Sequence, residues 1–277
     1  MPIIQGNGTT MDNKYHIRKL LFGVLALLTV VSLSLVLAAH LAPSDHEQSS
    51  TYSLRFYGHG YGDIDRVKIQ IDDPNNSNPG PPTDIGATDF TLEFWMKAYD
   101  AENNPSQQVG CGQQNYSVIN GNLVFDRDIW DSQGHKYAIS LDQGGHVAFG
   151  VAQPDPDLRT ICGSTNVLDG QWHHIAVQRR YSDGWMWVYV DGNLEAQADG
   201  PNGDISYPDN ATPNYRGPQF CRGPNGSWGG YCLNESYIVI GAEKHDYDQD
   251  NGSLGDPLYP SYSGWLDEVR LSTVIRY

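Results

Sequence analysis

Apolar and polar residues alternate along most of the chain beyond residue 50, and this period of two predicts half-buried β-strands. Segment 89–97 is the clearest case. One face of it carries Phe90, Leu92, Phe94 and Met96, and the other carries Thr91, Glu93, Trp95 and Lys97. We expect further strands at 53–57, 65–71, 116–125, 136–142, 145–151, 171–180, 184–190, 194–198, 237–241 and 264–272. No segment of ten or more residues in this part keeps a helical period, so the pattern predicts an all-β fold.

Segment 184–190 places aromatic rings on one face of a predicted strand. Trp185, Trp187 and Tyr189 alternate there with apolar residues, and the turn Asp191-Gly192 that follows is a strong hairpin signal. If this face is exposed, the rings form a flat platform on which the apolar side of a sugar can stack. The alternative is that a neighbouring loop covers them.

Residues 20–39 form an uncharged apolar run that is long enough, at about 30 Å as a helix, to cross a bilayer. Basic residues precede this run and acidic residues follow it, so the positive-inside rule leaves 1–18 in the cytoplasm and the bulk of the chain outside. We therefore expect a transmembrane signal anchor at 19–41, a linker at 42–50 and a folded domain at 51–277. The alternative is a cleaved signal peptide and a secreted protein.

The chain beyond the apolar run is strongly acidic. Three of the 17 basic residues and one of the 33 acidic residues precede residue 42, so the rest carries 14 basic and 32 acidic side chains. Such a surface repels phosphate backbones, and we expect no nucleic-acid partner. The 30 glycines, 16 prolines and 17 tyrosines suit short strands joined by turns.

All four cysteines lie after the apolar run, at Cys111, Cys162, Cys221 and Cys232. An even count outside the cytosol predicts two disulfides. Cys221 and Cys232 bracket a turn-rich stretch, and a local bridge between them would leave Cys111 and Cys162 as the long-range pair. The spacing does not by itself fix the pairing, and it lacks the CxxC of a zinc site.

An acidic, glycine-rich loop follows the predicted strand 237–241. Its carboxylates stand at Asp246, Asp248, Asp250 and Asp256. Carboxylates at alternate positions can surround Ca²⁺, which takes about six to eight oxygen ligands. The loop is not an EF-hand, because it lacks the twelfth-position glutamate and flanking helices. Calcium is our hypothesis for this loop, and a solvated acidic loop is the alternative.

Six segments, in order, resemble the motifs of laminin-G-like domains, which belong with pentraxins and concanavalin A-like lectins. They read SLRFYGHGYGDIDRVKI, DFTLEFWMKA, QWHHIAVQRR, WVYVDGNLEAQA, YIVIGAEKHDYD and YSGWLDEVRLS. The resemblance covers residues 53–272 and implies an antiparallel two-sheet jelly-roll sandwich. It is more specific for the fold than for a ligand. The cysteine-containing stretch 199–236 departs from a minimal domain of this kind.

The resemblance also implies roles for individual side chains. It implies that Trp95, Trp172 and Val188 pack within the sandwich. His173 and His174 are then ordinary sheet residues that alternate inward and outward, rather than catalytic or metal-binding groups.

Two sets of calcium ligands follow from the same resemblance. In pentraxins, calcium ligands come from the loop after the strand that corresponds to 237–241, and Glu243 and Asp246 fall nearest that pattern. The first and last strands are neighbours in this fold, so Asp65 and Asp267 are expected to approach each other, as at the structural calcium of related jelly rolls. The alternative is that each aspartate caps a turn or pairs with an adjacent arginine.

We expect no enzyme. Glycosidases on this fold carry a Glu-x-Asp-x-x-Glu or Glu-x-Asp-x-Glu strand whose carboxylates flank the scissile bond, and neither pattern occurs. The expected function is a lectin-like domain outside the cytosol that binds carbohydrate or a glycoprotein, with calcium. The alternative is a structural subunit of a membrane complex or extracellular polymer, which contacts a protein partner or a second copy of itself. A glycoside hydrolase is the third hypothesis.

Overall fold

The computed structural model describes residues 52–58, 65–71, 83–105, 107–127, 135–153, 157–207, 237–243 and 259–277. The chain divides after Thr51 into two units, and every described residue belongs to the second unit. The predicted anchor and linker therefore lie outside the described residues. Within the part that is described, no helix is long and apolar enough to cross a membrane.

The described residues form two six-stranded antiparallel sheets. In spatial order, sheet A contains β1 (Leu54–Phe56), β12 (Gly264–Ser272), β3 (Phe90–Ala98), β8 (His173–Arg179), β9 (Met186–Val190) and β10 (Asn193–Ala198). Sheet B contains β2 (Val67–Gln70), β11 (Tyr237–Ile240), β4 (Asn122–Arg127), β5 (Lys136–Leu141), β6 (Val147–Ala152) and β7 (Leu158–Cys162). Single 3₁₀ turns occur at Asp100–Glu102 and Ser117–Asn120. The predicted all-β, two-sheet jelly-roll sandwich is confirmed.

The core lies between the sheets and is filled by strand residues of one parity. On β3 these are the four predicted side chains, Phe90, Leu92, Phe94 and Met96, and all are fully buried. Phe94 meets Phe125 of sheet B with ring centroids 4.9 Å apart. Full burial of one such side chain stabilises the fold by roughly 1.5–3 kcal/mol. Because one parity of β3 fills the core, the other parity must face outward.

The outer face of sheet B is covered by the segment that precedes β4. Val109, Tyr116 and Val118 form a second apolar cluster there with side chains of β4, β5 and β6. The fit is close, since a Cβ at Gly150 would collide with Val118. The predicted strand at 116–125 is therefore wrong in its first half, where a 3₁₀ turn lies on the sheet.

A disulfide between Cys111 and Cys162 ties this covering segment to the end of β7, with 5.4 Å between the Cα atoms. The Gly112 amide also donates a hydrogen bond to the Thr160 carbonyl at 2.8 Å. This bridge is the long-range pair considered from the sequence. Cys221 and Cys232 lie outside the described residues.

Two fully buried arginines hold the segment 199–207. Arg179 donates to the carbonyls of Pro201 and Gly203, each at 2.7 Å, and Arg127 donates to the carbonyl of Ile205. Burial lowers the pKa of Arg179 to about 10, which leaves the guanidinium charged at neutral pH. The first part of the long predicted stretch 199–236 is thus ordered by hydrogen bonds, and the remainder lies outside the described residues.

Removing the bridge gives a test of the role of the covering segment. Replacing Cys111 and Cys162 together by alanine releases two residues that are 51 positions apart. We expect the free energy of unfolding to fall by about 3 kcal/mol, because the unfolded chain regains conformational freedom. Urea denaturation followed by tryptophan fluorescence measures this change, with the exposed Ser182→Ala variant as control. A loss below about 1 kcal/mol would contradict the expectation.

Candidate functional site

Every tryptophan among the described residues lies on the outer face of sheet A. The five are Trp95, Trp172, Trp185, Trp187 and Trp265. None of them belongs to the described core, which is built from phenylalanine, tyrosine and aliphatic residues. Aromatic side chains carry a large contact area and a polar group, so a sheet face that concentrates them is a candidate binding surface.

The predicted platform of Trp185, Trp187 and Tyr189 lies at one end of this face, where all three side chains are partly exposed. The rings of Trp185 and Trp187 are stacked, with centroids 6.2 Å apart and an interplanar angle of 27°. The Trp187 indole nitrogen donates to the Gln197 side chain on β10 at 3.1 Å. The Arg180 guanidinium lies 5.3 Å from the Trp187 ring centroid. The structure therefore brings these three residues together and adds a cation beside them.

The C-terminal segment 273–277 contributes a further ring to the same face. The Val274 carbonyl accepts a hydrogen bond from the Thr91 hydroxyl at 2.7 Å, and the Arg276 amide donates to Gln178 at 3.1 Å. Tyr277 remains 49% exposed, and its ring centroid lies 5.5 Å from that of Tyr189. Sequence reasoning missed Tyr277, because no local pattern near it signals a contact with β9.

Glu93 anchors this segment, and it is buried although it faces outward from sheet A. Its carboxylate accepts from Arg276 at 3.1 Å and from Arg270 at 3.2 Å, and it also accepts from the Tyr277 hydroxyl. These donors replace the water that a buried charge loses. Burial, and after it the hydrogen bond to Glu93, raises the pKa of Tyr277, so its hydroxyl stays protonated and donates.

A second group of rings lies near Lys97, toward the other end of the face. Trp265 on β12 is the register partner of Lys97, and Trp95 precedes Lys97 by two residues on the same face of β3. Trp172 precedes His173, the register partner of Met96, so it lies near the same end of β3. We call Trp95, Lys97, Trp172 and Trp265 the Lys97 cluster.

The expectation that Trp95 and Trp172 pack within the sandwich is wrong, since each is 40% exposed. The parity of β3 explains Trp95, because the positions that point into the core belong to residues such as Met96. Val188 is fully buried, as expected.

His173 is the first residue of β8, directly after Trp172, and it contacts the carboxylates of Asp169 and Asp191. Its Nδ1 lies 2.8 Å from a carboxylate oxygen of Asp191, and its Nε2 lies 3.1 Å from one of Asp169. Both nitrogens can donate only in the imidazolium form. Burial disfavours that charge, but the hydrogen bonds to Asp191 and Asp169 outweigh it and raise the pKa of His173. The two carboxylates face opposite nitrogens of the ring, so they do not converge on one metal ion.

The expected approach of Asp65 to Asp267 is corrected by the strand register. Asp65 accepts a hydrogen bond from the Tyr57 amide at 2.9 Å, just beyond the end of β1. Asp267 instead follows Leu266, which pairs with Leu54 at the start of β1. Asp267 is thus opposite position 53, four residues from Tyr57, so the two sites are displaced by about 13 Å along the strand. Asp65 stabilises a turn, which is the alternative considered from the sequence.

Of the other predicted calcium ligands, only Glu243 lies among the described residues. Glu243 is buried after β11, and its carbonyl lies 3.5 Å from an Arg66 nitrogen. The remaining four, Asp246, Asp248, Asp250 and Asp256, lie outside the described residues. In the described ranges, the group of three potential ligands close enough for a metal is Cys111, Asp142 and Cys162, and its two sulfurs form the disulfide.

Residues 72–232 match a laminin G family model, described as the concanavalin A-like lectin/glucanases superfamily. Because this match covers more than half of the 277 residues, the chain belongs to that superfamily. The resemblance that the six motifs indicated is confirmed. The superfamily includes both lectins and glucanases, so membership alone leaves the two classes open. No curated protein sequence matches the chain.

Several solved structures are among the matches to this chain. Domains LG4-5 of the mouse laminin alpha1 chain are 9% identical with a TM-score of 0.41, and the match covers 80% of this chain and 42% of that one. The heptameric SAP-like pentraxin of Limulus polyphemus is 13% identical with a TM-score of 0.42, covering 81% and 77%. The CBM40 of the Ruminococcus gnavus IT-sialidase is 12% identical with a TM-score of 0.43, covering 81% and 91%. The chain thus spans less than half of the laminin fragment that it matches.

The raised pKa of His173 predicts a pH-dependent stability. The contribution of His173 is complete below about pH 6.5, the usual pKa of an unfolded histidine, and is lost as the pH rises through the higher folded pKa. We therefore expect urea midpoints of the parent protein to fall as the pH rises from about 6 to 9. The His173→Gln variant should lose this decrease, and the His174→Gln control should keep it. Equal pH profiles for the parent and His173→Gln would overturn the assignment.

Proposed function

We propose that the domain binds carbohydrate on the outer face of sheet A, chiefly through Trp185, Trp187 and Tyr189. The observation that carries the proposal is that every described tryptophan lies on this face, while the described core has none. Tryptophan is the side chain with the largest apolar area, and core packing ordinarily recruits it. Its concentration on a partly exposed face is explained by a ligand with flat apolar surfaces and polar edges, which is the chemistry of a sugar ring.

Polar groups beside the platform suit the hydroxyls of such a ligand. Arg180 and Asp183 form an ion pair of 2.5 Å whose two side chains are both exposed, and the Arg180 side chain also lies over Trp187. Gln197 donates and accepts through one amide and already contacts the Trp187 indole. A sugar that stacks on Trp187 would find both donors and acceptors at its rim.

The carboxylates of the outer face support a role in binding rather than in hydrolysis. Among the described residues of the outer face, Glu93 has its carboxylate buried and occupied by two arginines and a tyrosine. A glycosidase needs two carboxyl groups about 5–10 Å apart across an accessible scissile bond.

We further propose that the apolar segment 19–41 anchors the domain outside the cytosol, on the strength of its length and flanking charges.

The platform proposal is tested by glycan-array binding of the full chain in detergent micelles. We expect Trp187→Ala to weaken the strongest glycan signals at least about tenfold, which corresponds to roughly 1.4 kcal/mol for one lost stacking contact. The matched control is Tyr52→Ala, which removes a ring that is 84% exposed and lies outside the platform. Urea denaturation of both variants shows whether they remain folded.

Two results would overturn the proposal. One is retention of full glycan binding by Trp187→Ala. The other is a folded parent protein that binds no glycan and self-associates or captures a protein partner, which is the outcome that a structural subunit would give.

Calcium is proposed for the loop that follows Glu243. The proposal is supported by the four aspartates of this loop and by the oxygen-rich coordination that Ca²⁺ prefers. Titration calorimetry of the full chain with CaCl₂ should give a binding heat that Asp246→Ala and Asp248→Ala each reduce. The control is Asp267→Ala, whose aspartate is displaced along β1 from Asp65. If the parent protein gives no binding heat with CaCl₂, the calcium proposal is wrong.

A further inference from the structure

We infer that the Lys97 cluster is a second subsite that binds the acidic group of a carboxylated or sulfated sugar. This inference rests on the proposed function, because it places the acidic residue of the same sugar chain on the same sheet face. It also specifies that function further, since it selects acidic carbohydrate over neutral carbohydrate.

The first support is the arrangement of rings around one ammonium. Lys97 is the register partner of Trp265 on β12, Trp95 lies two residues before it on the same face of β3, and Trp172 precedes the first residue of β8. The Lys97 nitrogen is 5.9 Å from the Trp265 ring centroid, and Trp95 and Trp172 are each 40% exposed. Indole surfaces can contact the apolar side of a sugar ring while the ammonium contacts a carboxylate or sulfate on its edge.

The second support is that the charge of Lys97 is not neutralised. On the described outer face of sheet A, Arg55 pairs with Glu102, Arg180 pairs with Asp183, and the arginines of the C-terminal region pair with Glu93. No ion pair of the described residues includes Lys97. An anion brought to this position therefore gains an attraction without displacing an existing carboxylate partner.

The net charge of −16 does not oppose this local attraction. Charges further away than about 8 Å are screened at physiological ionic strength. Beside the cluster, the Arg55 guanidinium lies 4.2 Å from the centroid of the Trp265 ring, and its charge is paired with Glu102. Among the described residues, the ammonium of Lys97 is therefore the unpaired charge that an anion meets here, although Asp267, the register partner of Trp95, lies on a neighbouring position of β12.

The distance between the two subsites sets the size of the ligand. Lys97 and Thr91 are six residues apart on β3, and Thr91 pairs with Gln178, which in turn pairs with Trp187. Six strand residues span about 20 Å. A single sugar cannot reach both groups, so the ligand that uses both is an oligosaccharide of several residues.

Three matched pairs of oligosaccharides test the inference, each an acidic hexasaccharide and its neutralised form. They are oligogalacturonate and its methyl ester, hyaluronan and its carboxyl-reduced form, and chondroitin sulfate and its desulfated, carboxyl-reduced form. Calorimetry with the full chain should show at least one acidic member binding about fivefold or more tighter than its neutral partner at physiological ionic strength. Carboxylate and sulfate sources are distinguished by which pair shows this preference.

Variants of Lys97 identify the residue responsible. Lys97→Gln should abolish the acidic preference and leave binding of the neutral form unchanged, whereas Lys97→Arg should retain the preference. Lys68→Gln removes one exposed positive charge on sheet B and should change neither value.

The outcomes separate this inference from the proposed function. Equal binding of acidic and neutral forms, or a preference that survives in Lys97→Gln, overturns the acidic subsite and leaves the platform intact. If the parent binds none of the six sugars and no array glycan, both proposals are overturned together.

Discussion

The contact between the inner faces of the two sheets determines where the tryptophans can lie. Phe94 of sheet A meets Phe125 of sheet B across this contact, so β3 turns its even-numbered side chains inward and its odd-numbered side chains outward. The hydrogen-bonded register then extends this parity to neighbouring strands, because paired residues share a face. Trp95, Trp187 and Trp265 therefore face the same way as a consequence of core packing, whatever their own preference for burial.

The same constraint explains which strands the sequence predicts well. Strands such as β3 and β9 repeat one type of side chain at every second position, so their positions follow from the pattern. The sequence does not predict strand β7, because its five residues LRTIC do not alternate between apolar and polar, and Thr160 and Ile161 are both buried there. The covering segment that lies on the outer face of sheet B causes this double burial. Val118 of this covering segment is apolar because it packs on the sheet, and the sequence around it therefore resembles that of a strand.

The sequence predicts only those parts of the candidate site that depend on neighbouring residues in the chain. The shared face of Trp185, Trp187 and Tyr189 follows from alternation within one strand. The exposure of Trp95 depends instead on what covers the sheet, and the family resemblance had implied that Trp95 packs within the sandwich. Tyr277 contacts Glu93 across 184 residues of sequence, so no local pattern could indicate that contact.

Glu93 faces outward from sheet A, and its carboxylate joins the C-terminal segment to the sheet. A buried carboxylate without partners would cost several kcal/mol, but two arginines and a phenol satisfy it here. The C-terminal segment is consequently held against the sheet by charge-assisted hydrogen bonds as well as by backbone contacts to Thr91 and Gln178. Tyr277 occupies its position beside Tyr189 because of this network.

The strands that carry the rings also impose a geometry on whatever lies across them. Neighbouring strands in a sheet rotate by about 20–25° relative to one another, and three such steps separate β12 from β9. Trp265 and Trp187 are therefore borne on strands whose directions differ by roughly 60–75°. A straight, ribbon-like polymer would match one of these orientations and miss the other. A sugar chain of the proposed kind that contacts both rings would have to turn by a similar angle between them.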